Sequence, residues 1–172
     1  MFRYALLLMM SLLALTACSP SLNWREVRAS QGELKVMLPC KPDQGSRKQT
    51  LAGLELEVHM SGCEAGGALF AVSSVSLDDP TRALAVQLQW QAAMLENMRA
   101  GTSASSPYRI RGATPLLEPV RLKAQGQDPA GRGVSVEGVW FAHGARLYHA
   151  AIYAERIGAE MSEPFFGGLE LP

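Results

Sequence analysis

The stretch GVSVEGVWFAHGARLYHAAIY, residues 133 to 153, decides the fold class. Aromatic and β-branched residues flank a glycine-bearing turn at His143-Gly144-Ala145, the pattern of an antiparallel hairpin with strands over residues 133 to 142 and 146 to 153. Working outward toward the amino terminus, the period of the apolar residues changes. Asp79 is a plausible N-cap with Pro80 in the first helical position, and Gly101 stands where a helix would stop. Between them Leu84, Leu88, Leu95 and Met98 recur on one stripe, which predicts an amphipathic helix over residues 80 to 100. Val86, Trp90 and Met94 form a second stripe, about 120° round the helix at about 100° per residue. This second stripe reads either as part of a broad buried face or as a candidate partner patch at Val86 and Trp90.

Further upstream the period is two. Leu54, Leu56, Val58 and Met60 alternate with Glu55, Glu57 and His59, which gives a strand with one buried face and makes the two glutamates a solvated face. Residues 33 to 38 form another strand, ended by Pro39 and Pro42, which lack the donor that a sheet ladder needs. Residues 69 to 75 form a third after a Gly66-Gly67 turn. Downstream of the helix, residues 108 to 111 and 116 to 122 are short candidate strands, followed by the turn AQGQDPAG. The tail holds an apolar turn at Phe165 and Phe166 and a short end segment around residues 169 to 171. Together these predict an α+β fold, an antiparallel β-sheet packed with one long amphipathic helix.

The amino terminus concerns location. One positive side chain, Arg3, precedes an apolar run over residues 5 to 15 that is interrupted only by Ser11. That run is too short for a bilayer helix, which takes about 20 residues, and suits a secretory signal. It ends in Leu15-Thr16-Ala17-Cys18, a lipobox by its likeness to bacterial lipoproteins, in which Cys18 receives the lipid. Ser19, where an aspartate would favour inner-membrane retention, points to the periplasmic face of the outer membrane. Residues 1–17 are therefore expected as signal peptide, 18–31 as lipidated cysteine and short tether, and 32–172 as one domain. With two or three acyl chains, anchoring to the membrane would be stable. Cys40 and Cys63 remain as an even pair in an oxidising compartment and are expected to form a disulfide; a redox or metal pair is the alternative, though no CxxC spacing is present. Residues 18–172 carry 15 Lys+Arg against 16 Asp+Glu, which argues against a polyanion such as nucleic acid as partner.

The order of parts, with LPCKP (residues 38 to 42), ARLYHAAIY (145 to 153) and FFGGLEL (165 to 171), resembles a group of bacterial proteins of the PsbP-like, DcrB-like α/β fold. Pro39, Lys41 and Pro42 match that group's Phe-Pro-Gly-Lys-Pro type motif. Arg146 and Tyr148 match its Arg-x-Tyr, and Phe165 with Leu169 loosely match a Phe-x-x-Ser-Phe type motif. Leu38, Cys40 and Gly168 depart from it, and Cys40 fits a lineage-specific disulfide to Cys63. The resemblance spans about residues 32 to 171 and implies a PsbP-like/DcrB-like sandwich acting as an accessory or binding subunit rather than an enzyme.

Catalytic signatures are absent: there is no GxSxG, HExxH or phosphate-cradling glycine loop, and His59, His143 and His149 are the only histidines. No cofactor or metal is expected. Three functions stand. The first is a non-catalytic envelope lipoprotein that docks a protein partner through an exposed sheet face or the Trp90 stripe. The second binds a small ligand or lipid in a cleft of roughly 300 Å³ or more between sheet and helix. The third is a hydrolase or metal enzyme, which requires histidines and carboxylates to converge.

Overall fold

The computed structural model describes residues 21–114 and 117–172, so the lipobox, Cys18 and Ser19 lie outside it. The strands in chain order are β1 Arg25–Ala29, β2 Leu34–Leu38, β3 Asp43–Leu51, β4 Leu54–Ala65, β5 Ala68–Ser76, β6 Thr102–Pro107, β7 Val120–Gln127, β8 Gly133–His143 and β9 Arg146–Ala154. Among the described residues two α-helices, α1 Ala83–Asn97 and α2 Ala159–Gly167, accompany these strands. The hairpin of residues 133 to 153 is formed by β8 and β9. His143 pairs with Arg146, which leaves Gly144-Ala145 as a two-residue turn, and Gly144 takes the left-handed φ of 55° that such turns favour.

This hairpin lies inside a seven-stranded antiparallel sheet in the order β3-β4-β5-β9-β8-β7-β6, while β1 and β2 pair separately. The fold is α+β, a large antiparallel sheet with one long helix and one short one. Both faces of the central strands are covered, so alternation sorts their side chains between two cores. Phe70, Val72, Phe141, Tyr148 and Ile152 meet the β1–β2 hairpin and the aromatic pair Phe165 and Phe166 of α2. On the opposite face Leu147, Trp140 and Ala151 lie under α1.

The helix begins as its sequence predicts. The Asp79 carboxylate accepts from the Thr81 backbone N–H at 2.9 Å, and a 3-10 turn, Pro80–Arg82, leads into α1. Its orientation corrects the sequence reading. Val86 and Trp90 are buried, 0% and 7% exposed, whereas Leu84 and Leu88 are 55% and 54% exposed. The partner patch placed at Val86 and Trp90 is therefore core, as the broad-buried-face reading of that stripe expected, and it is the Leu84–Leu88 stripe that turns outward. An indole buries more apolar area than a leucine, so turning Trp90 inward wins on a helix whose apolar residues run all the way round.

Other boundaries shift too. The tether expected over residues 18–31 already contains β1, and Leu22 and Trp24 pack on the main core, Trp24 edge-on to Phe70 at 5.5 Å. β3 and β6 were not predicted, because nearly all of β3 and all of β6 are exposed and carry no apolar alternation. Residues 108 to 110 form no strand; Tyr108 and Ile110 pack against the core from a loop. β7 runs through the AQGQ stretch read as a turn, because pairing with β8 satisfies its backbone from Val120 to Gln127.

The shorter motifs tie the small hairpin to the sheet. Arg146 donates to the Glu33 carboxylate at 2.9 Å and Tyr148 donates to the same oxygen at 2.8 Å. Burial, with the Glu33 contact adding to it, raises the Tyr148 pKa well above that of an ordinary phenol. Cys40, just beyond β2, is disulfide-bonded to Cys63 of β4. On the same face the buried Glu137 of β8 pairs with Arg121 of β7, whose guanidinium also donates to Ser162 of α2 at 2.7 Å and lies over the Phe166 ring.

Candidate functional site

α1 crosses the sheet obliquely. Its start packs with Val58, Val75 and Leu147, and its end packs with Leu122, Ala124 and Trp140. Between helix and sheet the side chains facing α1 are small: Ala71 and Ser73 on β5 and Ala151 on β9. They leave a cleft of about 310 Å³. Its walls are apolar, with Met60 of β4, Leu69 of β5 and Trp90, Met94 and Met98 along the helix. Leu69, one of the few large apolar side chains left exposed at 38%, is part of this cleft.

The polar groups are few and specific. His149 of β9 lies between two indoles, stacked on Trp140 at 4.0 Å and edge-on to Trp90 at 5.5 Å. Its Nε2 is buried with no hydrogen-bond partner among the described residues. Burial holds the imidazole neutral, with its pKa pulled down to about 3. A ring so depressed is a poor base near neutrality and serves instead as a fixed dipole with one donor and one acceptor nitrogen. Gly138 of β8 makes the arrangement possible, since a Cβ there would stand 2.8 Å from Nε2 and 3.2 Å from the Trp140 ring.

Arg47 and Gln49 of β3, Asn97 of α1 and Tyr153 of β9 line the cleft as well. The Arg47 side chain donates to Gln49 at 3.4 Å and makes no salt bridge among the described residues. Burial pushes the Tyr153 hydroxyl up to about 12, partly offset by the Arg47 charge. No aspartate or glutamate lines the cleft.

Hollows of about 550, 540 and 860 Å³ also mark the surface. The first is walled by Lys123, Arg156 and small residues of β6, the second by Arg28, Gln44 and Ser46 among others, and the third by turns at Gly66 and Asp128. They are larger; the first has apolar walls at Val136 and Ile157 but lies open beside Lys123, Glu137 and Arg156, and the other two are built largely from polar side chains and turns. The cleft under α1 combines an apolar wall with a few polar side chains, Arg47, Asn97 and Tyr153 among them, the composition of a small-ligand site.

The remaining sequence candidates do not converge. His59 lies beside Arg28 and Gln31 on the far side of the sheet, and the His143 ring bonds the Gly112 carbonyl at 2.8 Å. Glu55 and Glu57 are exposed, and Glu57 accepts from Ser46 at 2.7 Å. Among the described residues no three His, Cys, Asp or Glu side chains come together as metal ligands. Arg47 and Gln49 escaped the sequence reading because β3 shows no periodic signal. The small residues Ala71 and Ser73, two apart in LFAVSSV and so on one face of the strand, were a legible sign of space on that face.

No family model matches the chain, and no curated protein matches it. A solved structure of protein PA94 from Pseudomonas aeruginosa, a protein of unknown function, is similar over 82% of this chain and 89% of that one, with 17% sequence identity and a TM-score of 0.39.

Proposed function

We propose that the chain is a non-catalytic bacterial envelope lipoprotein that binds a small, largely apolar ligand in the cleft between α1 and the sheet. The observation that carries this reading is the cleft itself, about 310 Å³ walled by Met60, Met94 and Trp90, with Arg47, Asn97 and Tyr153 among its few polar side chains. Such a volume is at the small end of ligand sites. The Leu15-Thr16-Ala17-Cys18 tetrapeptide supports lipid anchoring at Cys18, and Ser19 supports the outer membrane. The PsbP-like, DcrB-like resemblance supports an accessory or binding role.

The test is photo-labelling of cells that express the full chain with a diazirine derivative of 1-octanol. Labelled peptides should come from β5 and the second half of α1, and Ala71→Trp, which fills the cleft floor, should remove them. Labelling spread over the surface, or unchanged by Ala71→Trp, would overturn the reading.

One observation favours a second reading, docking of an envelope protein partner. Leu84 and Leu88 are both more than half exposed, one turn apart, and α1 has no charged residue between Ala83 and Leu95. Exposed apolar area of this kind marks interaction surfaces when it is contiguous. A photo-crosslinker at Leu88 that captures one reproducible protein in living cells would favour this reading, and none captured would remove it.

A further inference from the structure

The cleft carries a charge as well as a shape. Arg47 lies on β3 at the sheet edge, its side chain exposed while it lines the cleft, and its charge is felt at the Tyr153 hydroxyl of β9. It has no carboxylate partner among the described residues, and the cleft lining contains no acidic side chain. Every other polar group in the lining is formally neutral at neutral pH, the buried His149 included. The site thus has one fixed positive charge at the edge of a thioether and aromatic wall. An anionic group there gains a charge-assisted, bidentate contact that neither a neutral nor a cationic group can make.

Resting on the ligand-binding reading above, we propose that the cleft selects a monocarboxylate amphiphile, its head on Arg47 and its apolar body against Met60, Met94 and Trp90. Size follows from volume. A volume of 310 Å³ stands at the small end of ligand sites, which suits a compact body. A medium-chain or aromatic carboxylate fits; a long-chain lipid with two tails does not.

The test compares three photo-reactive probes of one chain length on cells expressing the full chain: a diazirine octanoate, the matching octanol and the matching octylammonium. Labelling of the β5 and α1 peptides should run about tenfold higher for the carboxylate than for the alcohol, and lowest for the ammonium. Arg47→Gln should bring carboxylate labelling down to the alcohol level, and Arg47→Glu should reverse the order of the two charged probes. Lys48→Gln, a neighbour on the opposite face of β3, should change nothing. Equal labelling by carboxylate and alcohol, or a carboxylate preference that survives Arg47→Gln, would overturn the proposal while leaving apolar binding intact. If none of the three probes labels the cleft peptides, ligand binding itself fails and the charge selection with it.

Discussion

His149 is the residue on which the helix-facing core turns. Its ring is sealed between Trp90 and Trp140 and over Gly138, so the folded protein holds it neutral down to about pH 3, whereas an unfolded histidine takes a proton near 6.5. In that window the unfolded chain binds more protons, and stability falls as the pH drops from about 6.5 toward 3. Replacing the ring with Phe removes the proton while keeping an aromatic in the stack. Denaturant titrations at pH 6.5 and pH 5 should show the native chain losing about 1.6 kcal/mol more than His149→Phe between those two points. Equal losses in the two proteins would mean that water reaches the imidazole.

At the scale of elements, α1 separates what periodicity can read from what it cannot. Asp79 and Pro80 located the start of the helix, because capping is local chemistry that needs no knowledge of the rest of the chain, whereas its end falls at Asn97, short of the expected residue 100, with Arg99 rather than Gly101 in the left-handed region. Which face turns inward is a property of the sheet beneath. On a helix with Leu84, Val86, Leu88, Trp90 and Met94 all apolar, the sequence offers two stripes and no arbiter. The sheet decides, since Trp90 packs with Val58, Val75 and Leu147 and on the His149 ring, and Met94 with Trp140 and Ala151. Trp90→Ala should therefore destabilise the domain by about 3 to 5 kcal/mol, and Leu88→Lys should change stability by less than about 0.5 kcal/mol. Chemical denaturation of the two variants reads both numbers, and the reverse ranking would restore the stripe expected from the sequence. The same reasoning explains why β8 and β9 were legible and β3 and β6 were not. Strands covered on one or both faces carry an apolar pattern, whereas the two edge strands lie with most side chains in water and are held by backbone pairing to one neighbour. The cleft inherits this limit: its apolar wall is visible in the sequence, and its cation, Arg47, lies on the strand that leaves no signal.

Across the whole molecule, the β1–β2 hairpin is joined to the large sheet by the Cys40–Cys63 bond at one end and by Arg146 and Tyr148 on Glu33 at the other. The disulfide closes a span of 23 residues, which in the chain-entropy model stabilises the fold by about 3 kcal/mol. A Cys40→Ala, Cys63→Ala double variant should melt roughly 6 to 12 °C lower than the native protein under non-reducing conditions. An unchanged melting temperature would show that the ion pair and the Phe165–Phe166 core hold the hairpin alone. The hairpin and the cleft lie on opposite faces of the sheet, so loss of the disulfide should leave cleft labelling in place at temperatures where the variant is folded. Ligand binding in the cleft is tested most directly by the native mass of the full chain, purified from the cells that express it, set beside the mass of Ala71→Trp prepared in the same way. The native chain should carry one stoichiometric small-molecule adduct, released by organic extraction and missing from the variant. Masses that differ only by the substitution would contradict it.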